Sequence, residues 1–375
     1  MYYIIRKVYG YLKNVHDMMK SIIKSLLCMM AIVALSQCRK EPEPGVLITD
    51  SNFLFALTEQ GTDTDGNGII SPSEAEAITS LDISNYDISD ITGIEAFVNL
   101  DTLYCSENKL TSMDLSGNIH LILLCCDHNQ LTSLDLSENI LLEYLYCVDN
   151  QITTLNLSYN PSLKELFCYE NRLTSLDITN SNDLHYLDCS SNRLSYLDIS
   201  NNPVLDTLIC GLNKLGDLDI SNNTALISLI CYYNKLTELD ASLNIALKNL
   251  DCCCNYISSL DVSGSNMLET LGCQNNELTS LDLSNNTALN VLHCYANQLT
   301  QLNVVNNTAL SSFYCGLNQL TTLDISNNTG LVWLNVDQMP SLNKVCVWTM
   351  PFPPEGLNVS SEGSPDVYFS TDCSK

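Results

Sequence analysis

The segment Asp63-Thr-Asp65-Gly-Asn67-Gly68-Ile69-Ile70-Ser71-Pro72-Ser73-Glu74 concentrates oxygen donors in one short run. Its spacing, D-x-D-x-[DN]-G-x5-E, suits a hard divalent cation. Asp63, Asp65 and Asn67 offer side-chain oxygens at loop positions 1, 3 and 5, and the Ile69 carbonyl serves at position 7. Ser71 can act directly or through water, Gly68 makes the sharp turn, and Glu74 closes the site with two oxygens. The expected cofactor is a structural Ca2+; the alternative is a helix–turn–helix cap that merely shares the pattern. Elsewhere reactive chemistry is sparse. After residue 37, His120, His128, His185 and His293 are scattered over the chain. No nucleophile–base spacing, Gly-rich phosphate loop or paired-His metal motif accompanies them. Asp127 and His128 are sequence neighbours, but adjacent strand residues point to opposite sides and form no dyad. An enzyme is not expected.

Helices must position the cation loop, and the sequence places them over Asp50–Leu57 and Ser73–Ile78. The arrangement resembles an EF-hand and also a dockerin module. EF-hands usually pair and dockerins carry two loops, so a single loop implies an extracellular ion of modest affinity and not a sensor.

The rest of the chain is periodic. From residue 110 to 340 it divides into eleven segments of 21 residues without an insertion, such as LGDLDISNNTALISLICYYNK (215–235) and LTSLDLSNNTALNVLHCYANQ (278–298). Strict periodicity in this range means a solenoid, each coil burying its apolar edge against its neighbours. Each coil reads L-x-x-L-x-C-x-x-N-x-L, beginning with Leu100, Leu103 and Cys105. In an extended strand Leu103 and Cys105 point into the core while Tyr104 points away.

Three columns follow. Cys recurs every 21 residues from Cys105 to Cys315, and Val336 then takes the slot. Stacked strands about 4.8 Å apart suit the Cα separation of a disulfide, but parallel side chains cannot turn their Cβ vectors toward each other. Buried free thiols are expected, acting as small hydrophobes. A metal–thiolate array lacks a His or acid beside each sulfur. Asn recurs from Asn108 to Asn318 and should satisfy the turning backbone. Asp recurs from Asp114 to Asp324, with Asn156 and Asn303 interrupting, in a second short extended element L-T-x-L-D-[LIV]-S-x-N. That row should face water and attract cations only loosely.

The 21-residue coil resembles the internalin-type leucine-rich repeats of bacterial surface proteins, especially the cysteine-ladder kind, over about residues 78–340. Asp90-Ile-Thr-Gly-Ile-Glu-Ala-Phe-Val-Asn-Leu100 resembles their first repeat. The resemblance implies an α/β-type solenoid, mostly β: a curved rod with a parallel sheet on its concave side, used for adhesion and protein recognition. On that concave face the positions flanking each core Leu or Cys include Tyr144, Tyr146, Phe167, Tyr169 and Tyr186 in one group. Tyr232 and Tyr233 form a second group, and His293, Tyr295, Tyr314 and Trp333 a third. With 18 Tyr against 7 Phe, the aromatics suit an exposed contact surface better than a core. Tyr is also simply a good strand-surface residue. Lys109, Arg172, Arg193, Lys214 and Lys235 follow the ladder Asn and read as edge solubilisation.

The 375-residue chain carries 43 Asp+Glu against 16 Lys+Arg, a net charge of −27. That balance disfavours nucleic acid and anionic headgroups, while 45% hydrophobic residues exclude a disordered acidic chain. A basic start at Lys20 and Lys24, a short apolar run and Leu35-Ser36-Gln37-Cys38 resemble a bacterial lipoprotein signal. Lipidation of Cys38 would anchor a water-soluble fold to the membrane; the alternative is an ordinary secretory signal. The run after it, Arg-Lys-Glu-Pro-Glu-Pro-Gly, reads as an extended tether. Residues 1–37 remove five basic and one acidic residue, leaving 42 acidic, 11 basic and a net −31.

The expected organisation is a signal peptide over 1–37, a lipidated tether over 38–47 and a helical cap with the cation loop over 48–80. The solenoid follows over 81–340 and a small β or irregular C-terminal cap over 341–375, where Cys346 and Cys373 could pair or stay free. The reading is a monomeric lipoprotein of the Gram-negative outer membrane, facing the surface or the periplasm, that binds a protein. The alternatives are a glycan-binding accessory of polysaccharide uptake and a structural spacer.

Overall fold

The computed structural model describes residues 15–26, 29–30 and 44–373. Residues 15–26 are helical. Cys38 lies outside the described residues, and no described helix is long and apolar enough to cross a membrane. From Val46 onward the chain forms one compact unit.

The unit begins with the helix Ser51–Glu59, which buries Phe53, Ala56 and Leu57 on one face. Asp50 caps it: one carboxylate oxygen accepts the Asn52 and Phe53 N–H groups at 2.8 and 3.1 Å. The other accepts the Ser89 N–H and hydroxyl, both at 2.8 Å, tying the cap to the first coil. The second helix, Pro72–Glu76, starts with proline at its first turn and a reciprocal Ser71–Glu74 capping box.

Fourteen strands of three residues each then form a parallel sheet, from Ser80–Asp82 to Asn358–Ser360. Their central residues pair in register, Leu81 with Leu103, Leu103 with Leu124 and Leu124 with Leu145. From Leu103 to Leu334 a fixed 21-residue spacing makes every coil congruent with the next, and the longer first and last steps keep the same register. The second extended element pairs only in places, as in Thr154–Asn156 with Ser175–Asp177 and Glu238–Asp240 with Ser259–Asp261. The last segment continues both ladders. Asn358–Ser360 adds to Trp333–Asn335, and Lys344–Cys346 joins Thr322–Asp324 to Tyr368–Ser370. Cys346 and Cys373 are joined as a disulfide with a Cα separation of 5.4 Å.

The cysteine column behaves as the spacing predicts. Every member from Cys105 to Cys315 is a free thiol with no solvent exposure. Burial pushes these thiols far above their ordinary ionisation range, as at Cys126, Cys210 and Cys294. They are packing groups and not nucleophiles.

The first Asn column is a hydrogen-bond ladder. Asn129 Nδ2 donates to the carbonyls of Cys105 and Cys126 at 3.0 and 3.1 Å, while its Oδ1 accepts the Leu110 N–H at 3.0 Å. One side chain thus stitches two coils together. The residue before each ladder Asn is left-handed: Glu107, His128, Leu212, Tyr233 and Leu317 hold φ of 50–56°. Such a conformation costs a residue with a Cβ about 1–2 kcal/mol, which the ladder hydrogen bonds must offset.

A second buried ladder escaped the sequence reading. Asn118, Asn139, Asn160, Asn202, Asn223 and Asn244 are at most 1% exposed. Asn139 Nδ2 donates to the Leu115 and Asn118 carbonyls at 3.1 and 2.9 Å. Ser181 and Ser265 take the slot in two coils. Its signal was present: the last Asn of the S-x-N triplet recurs at the 21-residue period, broken only by Ser181 and Ser265. The Asp row also does more than face water. Asp114, Asp198 and Asp219 each accept the N–H of the serine two residues on, at 2.9–3.0 Å. These turns hold their carboxyls below the ordinary range, with the serine hydroxyl as the first cause.

Candidate functional site

The solvent face of the main sheet is built from three columns per coil: the residues on either side of the buried strand centre and the one two further on. In the strand Tyr144–Tyr146, for example, Leu145 is buried and both tyrosines are half-buried. The alternation of a three-residue strand therefore presents the aromatics that the coil pattern singled out.

The structure brings part of the first group together. The Tyr146 and Phe167 rings stack with centroids 5.1 Å apart, and Phe167 stacks on Tyr186 at 4.6 Å. Tyr144 and Tyr169 share no ring contact with this stack among the described residues. The Tyr146 hydroxyl donates to Glu165 Oε2 at 2.9 Å. Burial and the Glu165 carboxylate both push the phenol's pKa above its ordinary value, so it stays a neutral donor. Burial likewise raises the Asp127 and Asp188 carboxyls. Asp127 closes a small network on the adjoining coils: its Oδ1 accepts the Val148 N–H, and Cys125 Sγ approaches both its Oδ2 and the Ser106 hydroxyl. The Cys125 thiol is pushed up to about 11, so this network does not activate it.

The second group divides. Tyr232 lies half-buried on the sheet face, whereas Tyr233 sits in the left-handed turn just beyond it, 57% exposed. Tyr233 belongs to the rim, because the turn reverses the side-chain alternation that the sequence reading extended past the strand. In the third group, His293 meets Tyr314 edge-on at 4.8 Å, and Trp333 is half exposed. His293, Tyr295, Tyr314, Gly316, Asn335 and Asp337 border a cleft of about 410 Å³. A Cβ on Gly316 would come within 2.6 Å of Asn335 Oδ1, so only glycine leaves this cleft open. His128, far from Asp127 in orientation, bonds Asp149 of the next coil at 3.0 Å.

At the cation loop, Asp63, Asp65 and Glu74 place carboxylate oxygens within 4.8 Å of one another. Asp63 Oδ1 accepts the Gly66 and Asn67 N–H groups, its Oδ2 accepts that of Gly68, and Asn67 Nδ2 reaches Asp65 Oδ2 at 2.9 Å. Glu74 receives the Thr64 N–H and hydroxyl on one oxygen and the Ser71 N–H and hydroxyl on the other, at 2.7–2.9 Å. Ile69 donates its N–H to Asn67 Oδ1. The donor set is all oxygen and includes three carboxylates, the chemistry that suits Ca2+.

Parallel three-residue strands, a buried cysteine column and an asparagine ladder define a leucine-rich-repeat solenoid with one open sheet face. No family model matches the chain. The solved functional domain of internalin J from Listeria monocytogenes, which includes a cysteine ladder, overlays with a TM-score of 0.67. The two are 31% identical over 80% of this chain and 76% of that one. A leucine-rich-repeat protein of Leptospira interrogans overlays with a TM-score of 0.62 at 21% identity, over 80% of this chain and 79% of that one, a likeness of fold alone. In sequence, internalin J of Listeria monocytogenes serotype 4b is 41% identical over 73 residues, 18% of this chain and 7% of that longer protein. The chain belongs to the internalin-J-type, cysteine-ladder leucine-rich-repeat family.

Proposed function

We propose that this chain is a cell-surface lipoprotein that binds a protein partner on the face of its main sheet. The observation that carries the reading is the Tyr146–Phe167–Tyr186 stack, three rings held half-buried on an otherwise open surface. Rigid aromatic surface is where interface energy concentrates. Phe167→Ala combined with Tyr169→Ala removes the middle ring of the stack and a neighbouring sheet-face ring and leaves every core residue in place. On an array of secreted and surface protein fragments, the wild-type chain gives discrete signals that the double variant loses. Signals of equal strength from both proteins would dismiss the sheet face.

A glycan is the second reading, favoured by the open cleft beside Tyr295, Tyr314, Asn335 and Asp337. Tyrosine platforms beside amide and carboxylate groups suit a sugar ring. A glycan array on which Tyr314→Ala abolishes the signal would select it. The anchor is Cys38, carrying lipid. Palmitate label incorporated in a Gram-negative host should vanish in Cys38→Ala, and label that persists would refute the anchor. The cation loop holds a structural Ca2+ through Asp63, Asp65, Asn67, Ile69, Ser71 and Glu74.

A further inference from the structure

The three columns that make up the sheet face are acidic and aromatic, and from Thr102 to Glu362 they contain no Lys or Arg. Asp127, Glu165, Asp188, Asp251, Asp337 and Glu362 all stand in them. At the aromatic stack the pattern becomes local. Tyr144 pairs with Glu165 and Glu165 with Tyr186, while Tyr146 pairs with Phe167 and Phe167 with Asp188. Two neighbouring columns over three strands thus hold four rings and two carboxylates side by side. The nearest cation in sequence, Lys164, is held by Glu143 at 2.7 Å and does not neutralise them.

Asp188 keeps its Oδ1 on the Ser190 N–H and hydroxyl at 3.0 and 2.6 Å. Burial holds its carboxyl above the ordinary range, as expected where no cation compensates the lost hydration. Glu165 accepts one hydrogen bond, from Tyr146. Both carboxylates therefore retain lone pairs, and Phe167 shares a strand with Glu165 and pairs with Asp188.

We propose that the patch formed by Tyr144, Tyr146, Glu165, Phe167, Tyr186 and Asp188 receives an arginine side chain from a basic segment of the protein partner. A guanidinium is planar and weakly hydrated, stacks on an aromatic ring and donates bidentately to carboxylates. A lysine ammonium also meets rings and acids, but as a compact, strongly hydrated point charge without the planar fork. The inference rests on the sheet-face reading above and adds the chemistry of what binds there.

The test uses the full chain and a fluorescein-labelled tetra-arginine peptide, followed by anisotropy in 0.15 M salt. Glu165→Gln with Asp188→Asn keeps the shape and the internal hydrogen bonds and removes two charges. Asp198→Asn with Asp219→Asn removes the same two charges from the exposed Asp row. The first pair should weaken the peptide at least ten-fold, the second less than two-fold. Phe167→Leu should also weaken it several-fold, because the middle ring that holds Tyr146 and Tyr186 in place is lost. Equal losses from the two carboxylate pairs would overturn the proposal, because the general field of an acidic chain would then account for binding. Fragment-array partners that are lost in the Phe167→Ala, Tyr169→Ala variant yet compete with tetra-glutamate and not tetra-arginine would also overturn it. That outcome leaves the sheet-face reading standing, whereas fragment binding unaffected by the variant removes both.

Discussion

Asn213→Ala lowers stability by about 3 kcal/mol, read as a fall in the urea midpoint followed by far-UV circular dichroism. Asn213 Nδ2 donates to the carbonyls of Cys189, Cys210 and Gly211 at 2.9–3.3 Å, and its Oδ1 accepts the Leu194 N–H at 2.9 Å. The carbonyls are shared. Cys189 O also accepts from Asn192, Cys210 O from Asn234, and Gly211 O from the Ser191 N–H. The group left without a partner is the Leu194 N–H, and a buried orphan donor costs about 1–3 kcal/mol beyond the lost bonds. Asn223→Ala should cost clearly less. Its Nδ2 donates to the Ile199 and Asn202 carbonyls, which keep other donors, and its Oδ1 has no protein partner to lose. Asn213→Asp should be worse than alanine at neutral pH, since it sets a carboxylate against three carbonyl oxygens. Equal midpoints for the Asn213 and Asn223 variants would refute this account of the two ladders.

Glu74 is the second residue on which much depends. Hydrogen bonds from the Ser71 backbone, the Thr64 hydroxyl and the Ser71 hydroxyl lower its carboxyl from 4.5 to about 2. A carboxyl depressed in the folded state contributes stability that is full above 4.5 and is lost as pH falls toward 2. Amide hydrogen exchange at Thr64 and Ser71 should accelerate across that window, while the amides of the cysteine strands stay protected. Glu74→Ala should remove this pH dependence. The same substitution should abolish heat of Ca2+ binding at millimolar concentration, since it deletes the ligand that closes the loop. Both Glu74 oxygens are already hydrogen-bonded, so the wild-type ion must compete with Thr64 and Ser71, and a modest affinity follows. Calorimetry showing no wild-type heat would eliminate the ion.

The sequence alone determined the solenoid, the thiol column and the first Asn ladder. The physical reason is congruence: a 21-residue period gives each position one environment repeated down the stack, so a run of Cys or Asn reports burial or backbone pairing directly. The tertiary structure decided what depends on neighbours one coil away. Phe167 and Tyr186 come from different columns, and only their stacking on adjacent strands makes them a unit with Tyr146. Tyr233 fits the strand pattern by spacing, yet its left-handed backbone places it on the rim. Gly264 occupies a slot where other coils carry Tyr159, Asn201 or Leu243, but a Cβ there would lie 1.8 Å from the Ser242 carbonyl oxygen. The pattern permits a side chain and the local backbone refuses it. Periodicity fixes averages over coils, whereas a binding surface consists of departures from the average, and those acquire meaning only when the chain stacks them side by side.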